Sequence, residues 1–221
     1  MTGITSGSAH LVQRLPPLVA AVLGLAILAA VVLPEIWLVA RHIGVIAHEG
    51  AHAFAGSSLG WNVDRVRLNT DGTGSTERSG GPGSGMVVTF VGYLGPSAFG
   101  LLAAVLIAHD LIVAALWTGL ILLFILLLSV RGMFGFMLVA GTGALLFVVV
   151  RYAPAFVEAV TAYALSWILL LSGVRQVLEH GTNADDAGTL RKVTHLPRLL
   201  WVSVWVIGSV LALAFGCTLL V

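Results

Sequence analysis

Six apolar stretches, each long enough to cross a bilayer, constrain this chain more than any other feature. They run near 17–39, 86–108, 111–130, 133–150, 155–178 and 198–220, and about 20 apolar residues wound into a helix cross the hydrocarbon of a bilayer. With no water there to satisfy the backbone, each stretch must pair its own N–H and C=O groups, which a helix does. The rest of the composition agrees. Of 221 residues, 58% are hydrophobic and 10% charged, against about 25% charged in a soluble domain. The expected fold class is an all-α polytopic membrane protein, one domain over residues 1–221. A formal net charge of +1 supplies no basic field for nucleic acid, and that class of partner is set aside. A lone cysteine, Cys217 in the last apolar segment, excludes an internal disulfide framework and a multi-cysteine zinc site, and reads as a packing residue. Residues 1–13 show no positive stretch leading into a short apolar core and cleavage site, so targeting is expected from the first span.

A weaker seventh segment, 41–59, carries Arg41, His42, His48, Glu49 and His52, each unfavourable in hydrocarbon by a few kcal/mol. Its small residues, Gly44, Ala47, Gly50, Ala51, Ala53, Ala55 and Gly56, let neighbouring helices approach and shield it. The expectation is therefore about seven transmembrane helices, the second buried in the bundle. Residues 60–85 turn polar and glycine-rich. Asn62 to Leu68 alternates at period two and reaches Asp71-Gly72, which predicts a β-hairpin turning there, followed by a flexible connection over 79–85. A second polar stretch, 179–197, is expected to hold a short helix beginning near Asp185 and Asp186, with Leu190, Val193 and Leu196 on one side. With seven spans, Arg14, Arg65, Arg67, Arg78, Arg131, Arg175, Arg191, Lys192 and Arg198 fall on one side against Arg41 and Arg151 on the other. The first side, with the amino terminus, is then expected in the cytoplasm.

The weak segment also contains the chemistry. His48-Glu49-Gly50-Ala51-His52 reads His-Glu-x-x-His; on a helix, side chains four apart stand one above the other, so two imidazoles can grip one tetrahedral zinc while Glu49 reaches the water it polarises. Three ionisable groups on one turn of a buried helix are costly, and a metal explains the cost directly.

Together with Gly92-Tyr93-Leu94-Gly95-Pro96 in the next span, the hairpin between them, Asp186-Ala187-Gly188-Thr189-Leu190, Thr194-His195-Leu196-Pro197 and Trp201, this motif resembles the site-2 protease-like membrane zinc metallopeptidases, within them a small bacterial group lacking a PDZ domain. The resemblance covers about residues 41–205. It implies a bacterial cell-membrane enzyme that binds Zn2+ and hydrolyses peptide bonds of membrane-embedded protein substrates, as in regulated intramembrane proteolysis. His48 and His52 would be zinc ligands and Glu49 the general base. The third ligand would be Asp186, in the Asp-Ala-x-x-Leu pattern of the smaller group, because no span holds the Asp-Gly pair of better-known members and Asp71-Gly72 falls in the hairpin turn. Asp185, His180 and His195 are the alternative ligands, and helix capping is the alternative role for Asp186.

The remaining polar residues have plainer readings. Gly92 and Gly95 suit tight helix packing or contact with a substrate backbone, Tyr93 and His42 an interfacial position, and Glu35, His109, Asp110 and Glu158 solvated span ends, while Arg131 snorkels between two spans. The hairpin offers either an edge strand for an unwound substrate or a surface loop folded on itself. Two other functions are compatible with the residues: a transporter or conductor using the His/Glu cluster for protons or metal, and a catalytically degenerate relative that binds membrane partners. A serine protease is disfavoured.

Overall fold

A computed structural model describes residues 13–83, 85–180 and 185–221. The described helices are α1 (Pro17–Val32), α2 (Pro34–Ser58), α3 (Met86–Ala108), α4 (Ile112–Ser129), α5 (Met133–Tyr152), α6 (Ala155–His180), α7 (Asp185–Thr194) and α8 (Arg198–Leu220); between α2 and α3 lie strands β1 (Asn62–Leu68) and β2 (Gly74–Ser79). Among the described residues, α3, α4, α5, α6 and α8 are each long and apolar enough to cross a membrane, while α1 and α2 qualify only as a pair bent by 104°. The count is five helices, or six crossings if the bent pair is one broken span, rather than seven.

Pro34 explains the difference. A proline disfavours helical dihedrals in the residue before it and has no N–H to continue a helix. Leu33 is accordingly extended (φ −71°, ψ 124°), and Pro34 occupies the first turn of α2. The stretch expected as one span over 17–39 therefore breaks at 33, and α2 starts seven residues before the expected 41.

After the bend α2 lies among its neighbours, as its small residues foretold. A methyl group at Gly44 would meet Gln176 and Ser172 of α6, and one at Gly95 of α3 would meet Ala51 and the carbonyl of Ala47. These contacts put the backbones close enough to cover the polar face of α2. The hairpin is antiparallel with a bulge between Val63 and Arg65. Its turn is the one expected: Gly72 has φ 72°, and Asp71 Oδ1 accepts from the N–H and hydroxyl of Thr73 at 3.0 and 2.7 Å. Those bonds hold the Asp71 carboxyl below its usual range.

The two ends of the bundle are distinguishable. At one end Leu15, Ile107, Ile112, Tyr163 and Leu220 pack in one cluster, and Arg14 Nε pairs with Asp110 at 2.8 Å. α4 runs away from that end, and beyond its far terminus Val130 bridges to Val66 of β1, with Arg131 N–H donating to the Val66 carbonyl at 2.8 Å. Arg14 and the hairpin are thus at opposite ends. The sequence reading had put them together, an error that follows directly from counting the Pro34 bend as two full crossings. Glu158, expected to be solvated, is buried.

Candidate metal centre and active site

α2 supplies the first residues of the site. His48 and His52, one turn apart, meet edge to face with ring centroids 4.8 Å apart and Nε2 atoms 3.2 Å apart. Val88 of α3 orients His52: its carbonyl, 2.7 Å from Nδ1, can only accept, so Nδ1 carries the hydrogen and Nε2 of the neutral ring presents a lone pair. Asp186 arrives from α7, with Oδ2 3.1 Å from His52 Nε2 and 3.4 Å from His48 Nε2. α7 is fixed by Ala187 and Leu190, both fully buried against Tyr93, Val177, Val202 and Trp205. The buried positions described on α7 are 187, 188 and 190; Val193 and Leu196, expected beside Leu190, are more than a third exposed.

Burial alone would push the Asp186 carboxyl up, but the rings of His48 and His52 beside it outweigh that and hold it well below the usual carboxylate range. A lone pair of His52 facing a carboxylate oxygen at 3.1 Å is repulsive unless positive charge lies between them. A proton satisfies one such pair; a metal ion satisfies all three atoms together. Ligands about 2.1 Å from a tetrahedral zinc stand about 3.4 Å from one another, which is the spacing found. The donor set therefore fits Zn2+, and among the described residues His48, His52 and Asp186 form the one group of this kind.

Glu49 lies next to the centre, 3% exposed. Its Oε2 accepts from the hydroxyl of Thr76 on β2 at 2.6 Å. A cavity of about 380 Å³ joins the ligand group to Glu49, the loop and strand from Gly72 to Thr76, Arg41 and Tyr93. A carboxylate, three candidate ligands and a strand edge thus share one space, the arrangement a metallohydrolase needs to hold a peptide beside a metal and a base.

A sequence profile described as Peptidase M50B-like matches residues 20–216. The chain belongs to this family. The match takes in every motif from which the resemblance to site-2 proteases was read. The family is one of membrane metallopeptidases. No curated protein and no solved structure matches the chain.

In this M50B-like protein the other candidates fall away from the centre or gain a task. His195 is exposed at the end of α7 with φ 59°, and Asp71 sits in the hairpin turn. The side chains of Asp185 and His180 lie outside the described residues. His42 packs edge to face on Phe134, with its Nδ1 3.2 Å from the Val39 carbonyl. Tyr93 is not interfacial: 8% exposed, it stacks on Trp205 and meets His48 edge to face, both at 4.6 Å between centroids. Trp205 is itself anchored by donation from Nε1 to the Phe90 carbonyl at 2.9 Å. Gly92 faces the two imidazoles, leaving no room for a methyl group beside His52. Thr76 and the Val88 carbonyl were not singled out from the sequence, and Arg41 was read there only as a charge in a weak span. A carbonyl leaves no sequence signal, and Thr76 reaches Glu49 only through the fold of the hairpin.

Proposed function

We propose that this protein is a zinc-dependent intramembrane endopeptidase acting on membrane-embedded protein substrates. The observation that carries the reading is the convergence of His48 Nε2, His52 Nε2 and Asp186 Oδ2 within 3.1–3.4 Å of one another beside a buried glutamate, in a family of membrane metallopeptidases. His48, His52 and Asp186 would hold the ion. When bound, zinc supplies Lewis-acid polarisation of the scissile carbonyl and of water. Glu49 takes the proton from the attacking water and delivers it to the departing amine, two roles one carboxylate can fill in sequence. Thr76 keeps that carboxylate aimed by donating to Oε2.

A helical substrate protects its peptide bonds by its own hydrogen bonds, so it must be unwound and held extended. β1 is engaged on one side by β2 and on the other by Arg131. The outer edge of β2, which borders the cavity, is the strand edge left to receive substrate. Arg65, Arg67, Arg78, Arg131, Arg175, Arg191, Lys192 and Arg198 belong to the hairpin end of the bundle, joined by Arg41, which lies against Gly72 of the hairpin turn rather than on the opposite side; Arg14 and Arg151 are at the other end. By the positive-inside rule the hairpin end faces the cytoplasm, and residue 14 faces out.

The test is cleavage of a single-span substrate by the purified, lipid-reconstituted protein. Glu49→Gln keeps the ligand group and should lower turnover by about 10²–10⁴-fold. A Glu49→Gln protein that cleaves as fast as the parent contradicts the mechanism.

A further inference from the structure

A second cavity, of about 430 Å³, lies where β1 meets the corner between α4 and α5, and three guanidinium groups, Arg65, Arg67 and Arg131, line it. Among the described residues no carboxylate lines it with them. Arg65 shares its charge with Glu77 across the hairpin at 4.0 Å. Arg131 is steered by donation from its Nη1 to the carbonyls of Leu128 and Val130, both at 3.2 Å. Arg67 is exposed on the strand, and among the described residues no ion pair is found for it. The wall continues through Gly132 to Gly135, the start of α5, where no side chain caps the helix. The first amides of that helix are unpaired within it and carry the positive end of its dipole.

The place of this cavity says what anion would reach it. α4 ends at Ser129 and α5 begins at Met133, both apolar spans, so the corner between them stands where hydrocarbon gives way to headgroups. Beside it Met133, Phe136 and Met137 are 71%, 50% and 64% exposed, a lipid-facing track running from the cavity along α5. We infer that this is a binding site for the headgroup of an anionic phospholipid, the phosphate held by Arg67, Arg131 and the first amides of α5 and the acyl chains laid along α5. Lipid phosphates are present at this depth, and a basic pocket at a span boundary recognises them by charge. The site is separate from the metal centre, though β1, which forms its wall, is paired with the strand that touches Glu49.

The test is native mass spectrometry of the full chain released from micelles holding equal amounts of phosphatidylglycerol and phosphatidylcholine. The parent should retain phosphatidylglycerol in preference, and Arg67→Gln should cut the preference about five-fold, the worth of one basic residue at an anionic surface. Arg67 is exposed, so this variant keeps the test clear of folding defects; Arg67→Gln with Arg131→Gln should abolish the preference, and Arg151→Gln, at the other end of the bundle, should leave it intact. Equal retention of the two lipids by the parent, or an undiminished preference in Arg67→Gln, overturns the assignment. Displacement of phosphatidylglycerol by glycerol phosphate at equal concentration would make the ligand a soluble phosphate ester, and a poly-glutamate peptide retained in place of lipid would make it an acidic protein segment; either outcome also overturns it.

Discussion

A methyl group at position 92 would run into the imidazole of His52 and press on that of His48, so the hydrogen at Gly92 is what lets the two histidine rings pack against α3. Overpacking at such a contact costs about 1–3 kcal/mol, and the atom most crowded, His52 Nε2, is the one that stands 3.1 Å from Asp186. Gly92→Ala is therefore expected to weaken metal retention while leaving the helical content unchanged, as seen by circular dichroism and metal analysis on one sample. Full retention in Gly92→Ala would mean that the rings are not packed as described. The same scale separates what a sequence shows from what it hides. His48, Glu49 and His52 are legible because a fixed spacing on a helix makes their geometry local. Asp186 is 134 residues from His52, and only a family pattern pointed to it. The contact of Tyr93 with His48 depends on how α3 is rotated toward α2, which periodicity in an all-apolar helix does not record.

Among the elements, α7 is short and mostly polar, and it stays in place because two of its side chains are sunk among α3, α6 and α8. Leu190 is fully buried there. Truncation of a buried leucine to alanine costs about 2–5 kcal/mol, and the loss should be felt first by the element that has little else to hold it. Leu190→Ala is expected to lower the thermal midpoint and to raise the metal dissociation constant together, whereas a comparable truncation at Leu116, equally buried but at the far end of the bundle, should lower the midpoint alone. Equal metal affinities in the two variants would contradict the role given to α7. The hairpin and its turn were legible because β alternation and Asp71-Gly72 are local signals. The break of α1 from α2 was also written locally, in Pro34, but counting 17–39 as one apolar stretch concealed it: an apolar count is indifferent to where a helix bends.

For the whole molecule, the bend decides which end is which. One broken crossing in place of two carries residue 14 to the end bearing Asp110, away from the hairpin. Cysteines placed at Gln13, Ser79 and Asp110 in a Cys217→Ala background should react with an impermeant maleimide in sealed vesicles as two groups, Gln13→Cys with Asp110→Cys on one face and Ser79→Cys on the other. Labelling of Gln13→Cys together with Ser79→Cys would restore the seven-span arrangement. The bundle otherwise serves to bring an apolar shell around a small polar centre, and everything chemical about the protein depends on what that centre holds. Elemental analysis of the purified chain is the most direct measurement of it. About one zinc per chain is predicted for the parent and for Glu49→Gln, with loss in His48→Ala and in Asp186→Ala. Folded parent protein without stoichiometric metal after zinc supplementation, or an Asp186→Ala variant that keeps its full complement, would contradict the account.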